Sequence, residues 1–213
     1  WETQGVILSG NVAGYETLKL RMLNGTHSLL AYLGALAGCR TIPQARFQPD
    51  IEWACRHLIH HELAPTFDLP AGVRPFQFLL EVADRIHRVG QDGSTKLPQR
   101  VANPLLFHAA RGKLPEVICL MVAGYLACIC PSVPIRPGAE ADLMLDPSRE
   151  AFADLMSRAP DLTEGTRAVL GAVFDPHVAG LTGFAERVAE LLSMITSDGV
   201  HATIARVRET VTM

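Results

Sequence analysis

Apolar side chains recur at helical spacing through most of the chain. The first helix is predicted to run from Tyr15 to a stop at Gly38, because its large apolar residues return about every 3.6 positions. These residues are Leu18, Met22, Leu29, Leu33 and Leu36. A second helix is predicted over residues 49–63, since Pro65 disfavours helical dihedral angles at Ala64.

The remainder of the chain follows the same pattern with two exceptions. A third helix is predicted over residues 75–89, with a stop at Gly90 and a turn at QDGST. Further helices are predicted near residues 97–111, 115–130, 147–158, 163–173, 180–197 and 201–210. The exceptions are residues 5–12, GVILSGNV, which suit a short strand or extended segment, and the proline-containing connection at residues 131–146.

These elements predict an all-α fold, with one multi-helix domain at residues 14–213 and an extended lead-in at residues 1–13. The longest apolar stretch, residues 117–130, is shorter than the roughly 20 residues that cross a bilayer as a helix. We interpret it as a buried helix. The chain begins with Trp1 and shows no signal-peptide pattern, so we expect it to be part of a longer protein or a processed product.

Charge and cysteine content narrow the class of protein. Nineteen basic and 22 acidic residues give a formal net charge of −3, without the basic clusters of a nucleic-acid or membrane-surface binder. We therefore expect neither partner. The five cysteines are an odd number with no CxxC pair, which favours a reducing cytoplasm. Cys128 and Cys130 lie in the apolar stretch and are interpreted as core residues.

The first helix carries polar residues that are unusual for a purely structural helix. With about 100° between successive residues, Asn24 lies about 140° from Lys19 and His27 lies between them at about 80°. Lys19 could exchange a proton with a hydroxyl group, and Asn24 could donate to a carbonyl or alkoxide oxygen. Gly25 would fit a close approach to the backbone. Alternatively, Lys19 is a solvated lysine, Asn24 and Gly25 mark a helix break, and His27 is a structural histidine.

Two other polar groups have less support as sites. His57 and His61 are four residues apart with Glu62 beside them, but HLIHHE reverses the HExxH order of zinc enzymes. We expect no metal here and interpret these as solvated helix residues. Ser28 adjoins His27, which separates the two side chains by about 100° on a helix and disfavours a catalytic dyad.

The segment YETLKLRMLNGTHSLLAYLGALAG, residues 15–38, resembles the start of the C-terminal domain in the mannitol dehydrogenase family. This family of polyol-specific long-chain dehydrogenases includes mannitol 2-dehydrogenases and fructuronate reductases. The shared pattern is Lys19, Asn24 and His27 followed by AYLG at residues 31–34. A second block, HRVGQDGSTKLPQR at residues 87–100, resembles the family's later substrate-binding segment through Arg88 and Lys96. Weaker similarities extend over nearly the whole chain.

The resemblance implies an NAD(P)-dependent oxidoreductase that interconverts a secondary alcohol and a ketone on a linear polyol or sugar acid. Lys19 would be the general acid–base, Asn24 would stabilise the developing oxyanion, and His27, Arg88 and Lys96 would bind substrate oxygens. A lysine accepts a proton near neutral pH only when burial or neighbouring cations favour its uncharged form. Arg88 fits the mannitol-type pattern, whereas KLPQR at residues 96–100 is closer to the fructuronate type, so both substrate types stay open.

The cofactor, NAD or NADP, would be bound mainly by the family's N-terminal Rossmann-type domain, which this sequence lacks. The chain has no GxG and no GxxxxGK motif, so we do not expect it to bind a dinucleotide well alone. The segment between Thr66 and Asp92 is also shorter than the family's. The alternative to an enzyme is a non-catalytic helical interaction module, which the apolar helix near residues 117–130 and its wide apolar faces would suit.

Overall fold

Helices form the regular structure of the described residues, which are 12–69, 85–130 and 139–212 of a computed structural model. The described residues also contain one isolated antiparallel β-bridge, between Thr41 and Arg85. The α-helices are α1 (Val12–Leu18), α2 (Gly25–Leu36), α3 (Ile42–Arg46), α4 (Pro49–His57), α5 (Ile86–Gly90), α6 (Gly93–Ala109), α7 (Glu116–Ile129), α8 (Ala139–Asp142), α9 (Arg149–Arg158), α10 (Leu162–Val173), α11 (Pro176–Ala179), α12 (Phe184–Asp198) and α13 (Val200–Thr212). The prediction of an all-α fold is confirmed for these residues.

Two helices without a polar face form the centre of the molecule. All residues of α7 from Val117 to Ile129 are buried, and α7 packs against α2 and α12. Residues Gly25–Ala35 of α2 are also buried, and a helix that is apolar all round belongs in a core. Cys128 and Cys130 are buried free thiols, as predicted. Because α7 is covered within this chain, it leaves no apolar face for a partner.

The helix boundaries agree with most of the sequence predictions. The first helical run begins at Val12, inside the predicted lead-in, and ends before Gly38, whose φ of 77° lies in the left-handed region. Residues 1–11, 70–84 and 131–138 lie outside the described residues, so most of the predicted strand at 5–12 and of the helix at 75–89 falls there. The second helix continues to Leu63 and is followed by a short 3₁₀ segment, Ala64–Thr66. No helix in the described part is both long and apolar enough to cross a membrane.

Two segments within the helical runs are π-helical, Lys19–Asn24 and Leu58–Leu63, and they contact each other. In the first of them the Gly25 N–H donates to the carbonyl of Leu20, five residues back. A π-helix has more residues per turn than the α-helix on which the angles between Lys19, Asn24 and His27 were predicted. Those angles are therefore wrong for this segment.

Glu62 is buried, and its predicted role as a solvated helix residue is wrong. The two oxygens of its carboxyl group accept hydrogen bonds from the backbone N–H groups of Val117 and Ile118, at 2.8 and 2.7 Å, and so cap the N-terminus of α7. His57 Nε2 lies 3.7 Å from Glu62 Oε1, whereas His61 is exposed. The described residues contain no group of three side chains placed to hold a metal ion.

Gly34, in the AYLG segment of α2, marks the closest approach of α2 to α3 and α5. A Cβ atom at this position would lie 2.5 Å from the Cβ of Ala45 and 2.9 Å from Cδ1 of Ile86. Both contacts are closer than van der Waals packing allows, so the absence of a side chain sets the helix spacing.

We expect Gly34→Ala to lower the free energy of unfolding by about 1–3 kcal/mol, because the added methyl group overpacks the contact with Ala45. Gly171→Ala in α10 is the matched control, since a Cβ there meets nothing within 4 Å. The control should be neutral or more stable by up to about 1 kcal/mol, the helix propensity of alanine over glycine. Urea unfolding measures both, and equal effects would contradict the close approach.

Burial raises the pKa of Glu62 to about 8, and the two N–H donors offset this only in part. The folded chain thus binds the proton more tightly than the unfolded chain, in which a glutamate pKa is about 4.3. The contribution of Glu62 to stability is fully present below the unfolded pKa and is lost as the pH rises through about 8.

Glu62→Gln should remove this dependence on pH. We expect the difference in free energy of unfolding between the wild type and the variant to decrease as the pH rises from about 5 to about 9. Glu52→Gln, in which an exposed carboxylate paired with Arg56 is lost, is the matched control and should show no such trend. A constant difference between wild type and Glu62→Gln across this range would count against the buried carboxyl as the titrating group.

Candidate functional site

The elements that carry the two sequence blocks pack against one another. Residues Lys19, Asn24 and His27 lie on the π-helical segment and the start of α2, and α6, which carries Lys96, contacts both. Arg88 lies on α5, which packs along α2. The fold therefore brings together segments that are about 60 residues or more apart in sequence.

Lys19 and Asn24 occupy the two ends of the π-helical segment. Lys19 is exposed and, with Tyr15, Leu18 and Leu23, lines an apolar pocket of about 240 Å³. Asn24 is half-buried. Among the described residues, Lys19 is therefore exposed to solvent and lies beside an apolar surface formed by this pocket.

Arg21 fixes the π-helical segment to the next helical run. Its Nη1 donates to the carbonyl oxygen of Thr66 at 3.0 Å, and its guanidinium lies 5.6 Å from the ring centre of Phe67.

Gly25, which follows the π-helical segment, has more space around it than the sequence predicted. A Cβ there would lie 3.6 Å from Cδ1 of Leu63, which is van der Waals distance, so the predicted close approach to the backbone is not needed.

His27 is buried at the start of α2. Burial, together with the positive charge of Arg100, lowers the pKa of His27 to about 4, so the imidazole is neutral at pH 7. A neutral imidazole has one nitrogen that donates and one that accepts. Nε2 is buried and has no hydrogen-bond partner among the described residues.

The two cations of the second block differ in their surroundings. Arg88 is exposed at the end of α5. Lys96 is half-buried, and its Nζ donates to the carbonyl oxygen of Gln91 at 2.7 Å and lies 3.5 Å from Oδ2 of Asp92. Lys96 is thus tied to the loop that precedes its own helix.

The start of α6 is earlier than predicted and is held by a buried carboxylate. Asp92, with φ of 56°, precedes the helix in the left-handed region, and the helix begins at Gly93 within the predicted turn. Asp146 Oδ2 accepts from the backbone N–H of Ser94 at 2.9 Å and from the hydroxyl of Tyr125 at 2.7 Å. Asp146 lies in the predicted irregular connection, about 50 residues after Ser94, and no motif in the sequence predicts this contact.

Gly93 allows α6 to approach two neighbouring tyrosines, whose rings are tilted relative to each other. A Cβ there would lie 2.7 Å from the hydroxyl oxygen of Tyr32 and closer still to the ring of Tyr125. The two tyrosine rings have their centres 5.3 Å apart. The glycine of the DGS sequence is therefore required by packing against these two side chains.

Arg100 is a residue that sequence reasoning did not single out. It lies one turn after Lys96 on the same face of α6, and its Nη1 donates to Oγ of Ser28, next to His27. The four-residue spacing from Lys96 was the available signal. Ser28 itself is buried and accepts this hydrogen bond.

Comparison with known proteins identifies a family for this chain. Residues 11–131 match the mannitol dehydrogenase C-terminal domain family. D-mannonate oxidoreductase of Escherichia coli K12 is 36% identical over 135 residues, which are 59% of this chain and 28% of that protein. An uncharacterized oxidoreductase of the same organism is 30% identical over 223 residues, which are 97% of this chain and 44% of that protein.

A solved structure has the same fold over nearly the whole chain. The ternary complex of Pseudomonas fluorescens mannitol 2-dehydrogenase with NAD and D-mannitol superposes with a TM-score of 0.80 at 24% identity, covering 98% of this chain and 44% of that one. The chain thus spans less than half the length of the relatives described here. The extent of the family match, together with the full-length similarity to the second oxidoreductase, shows that the chain belongs to the mannitol dehydrogenase family and corresponds to its C-terminal domain.

Proposed function

We propose that the protein containing this chain is an NAD(P)-dependent oxidoreductase that interconverts a secondary alcohol and a ketone on a linear polyol or sugar acid. The observation that supports this most directly is the packing of α5 and α6 on the first helical run, since it assembles the two blocks that resemble the family's substrate site. All five proposed site residues, Lys19, Asn24, His27, Arg88 and Lys96, lie within the family match. Relatives are named D-mannonate oxidoreductase and mannitol 2-dehydrogenase.

In this proposal residues 14–213 are the substrate domain, and residues 1–13 lead into it from a nucleotide-binding domain. The chain contains no glycine-rich dinucleotide motif, which is consistent with a cofactor held mainly by that other domain. The structure of mannitol 2-dehydrogenase is a ternary complex with NAD and D-mannitol, which supports a nicotinamide cofactor here. When bound, such a cofactor accepts or returns a hydride.

Lys19 would take the hydroxyl proton during oxidation and return it during reduction. The amine is exposed in this chain, so the burial that favours its uncharged form would come from the cofactor, the substrate and the nucleotide-binding domain. Asn24, five residues later, would donate its amide hydrogen to the oxygen on which negative charge develops. The apolar pocket beside Lys19 offers a surface against which those groups would exclude water.

His27 would bind a neighbouring substrate hydroxyl through Nε2, the buried nitrogen that lacks a partner among the described residues. Because this imidazole is neutral, it orients a hydroxyl without adding a second positive charge beside Arg100. Arg88 and Lys96 would bind further substrate oxygens. To bind substrate, the Lys96 ammonium group would either donate to the substrate as well as to the carbonyl of Gln91 or give up the hydrogen bond to Gln91.

Lys19→Ala in the complete protein should lower turnover by at least about 100-fold, the usual contribution of a general acid–base. The matched control is Lys113→Ala, which removes another exposed lysine after the end of α6. Initial rates of NAD(P)-linked oxidation of mannitol and mannonate measure both variants. Turnover by Lys19→Ala close to that of the wild type would rule out the proposed role.

Residues 1–213 alone should show no saturable binding of NADH in a fluorescence titration, whereas the complete protein should show it. The reason is that a dinucleotide phosphate needs a glycine-rich turn at a helix N-terminus, and this chain has none. Micromolar binding by the isolated chain would contradict the proposed division between the two domains.

A further inference from the structure

Arg100 is a half-buried cation without a carboxylate partner in the described part of the chain. Its Nη1 donates to Oγ of Ser28, and no Asp or Glu of the described residues forms a salt bridge with it. Because Arg100 is half-buried, its guanidinium has lost part of its hydration, and this burial lowers its pKa. Removing a charge from water is costly unless an opposite charge or a full set of hydrogen bonds replaces the solvent.

The groups around Arg100 are also incompletely hydrogen-bonded. His27 Nε2 and the hydroxyl oxygen of Tyr32 are both buried, and neither has a partner among the described residues. The charge of Arg100 acts on both side chains and lowers the pKa of His27. Tyr32 is fully buried one turn after Ser28 on α2. The unpartnered buried nitrogen of His27 and a cation without a carboxylate partner among the described residues therefore lie close enough for the charge of Arg100 to act on the imidazole.

A carboxylate fits this set of donors better than a neutral hydroxyl does. The guanidinium has five N–H groups, and the bond to Ser28 uses one of them. The remaining donors match the two oxygens of a carboxylate in a bidentate pair, which also neutralises the charge. A neutral polyol hydroxyl would form a single bond and leave the cation uncompensated.

We propose that Arg100 binds the carboxylate of a sugar acid, so that this protein acts on an aldonate and the matching ketouronate in preference to a neutral polyol and its ketose. Ser28 orients the guanidinium, and His27 binds the hydroxyl next to the carboxylate-bearing end. The inference rests on the proposed dehydrogenase function and names its substrate class. It makes Arg100 a specificity-determining residue and Ser28 a positioning residue.

The test uses the complete protein and four substrates. D-mannonate and D-mannitol are assayed with NAD(P)⁺, and D-fructuronate and D-fructose with NAD(P)H. Arg100→Met should raise the KM for the two acids by at least about 10-fold, because a charge-assisted bidentate pair is lost, and should change the KM for the neutral pair by less than about 3-fold. Arg158→Met, which removes an exposed arginine paired with Asp154, is the matched control.

Two further variants keep the test decisive if Arg100→Met does not fold. Arg100→Lys retains the charge without the planar fork and should give an intermediate KM for the acids. Ser28→Ala leaves the guanidinium in place without its anchor and should raise the KM for the acids only. Melting temperatures of all variants identify loss of folding separately from loss of binding.

The other outcomes are distinguishable. Turnover of mannitol without turnover of either acid by the wild type would overturn the role of Arg100 and leave the dehydrogenase function intact. Equal losses on acidic and neutral substrates in all three variants would also overturn it, because they would indicate a structural arginine. Absence of NAD(P)-linked turnover with all four substrates would contradict the proposed function itself, and the inference with it.

Discussion

Helix α2 is buried on all its faces, and this constraint determines the polar chemistry around it. A buried polar group without a partner costs free energy, so each polar side chain of α2 requires one. Thr26 donates to the carbonyl of Met22 at 2.6 Å within its own helical run, and Ser28 accepts from Arg100. His27 and Tyr32 keep one unpartnered polar atom each among the described residues. His27 lies at the start of α2, the helix against which α6 and the second sequence block pack.

The position of that second block is fixed at two points along α6. At its start, Ser94 donates to Asp146 while Gly93 packs against Tyr32 and Tyr125. Further along, Arg100 donates to Ser28. Lys96 lies between these two points, so its backbone is held in register with α2 even though its own amine is bonded to the preceding loop. Gly93 and Asp146 therefore hold the start of α6, and with it Lys96, although neither of them is one of the proposed site residues.

Features that depend on local periodicity were predictable from the sequence, and features that depend on distant partners were not. The buried helices near residues 15–38 and 117–130 were recognised because apolar spacing and helix length are local properties. Glu62 was assigned to solvent because nothing near it in sequence reveals that it faces the N-terminus of α7. Asp146 went unnoticed for the same reason, since its partners lie about 20 and 50 residues away. The family resemblance identified candidate residues and included Arg100 only as the last residue of KLPQR, without a role of its own.

The π-helical segment Lys19–Asn24 joins α1, which is mostly exposed or half-buried, to α2, which is buried. This difference in burial explains why the helical run is not a regular α-helix at that point. In α1 only Leu18 is buried, whereas α2 is buried from its first residue. A π-helical turn includes one residue more than an i→i+4 turn, and so it rotates the face presented after it relative to the face before it. The exposed amine of Lys19 and the dehydrated imidazole of His27 can then belong to one helical run. In the proposed function, the group that exchanges the proton stays in contact with solvent until substrate arrives, whereas the group that binds a substrate hydroxyl is already held in the core. The two lie within nine residues of each other, on either side of the change from π-helix to α-helix.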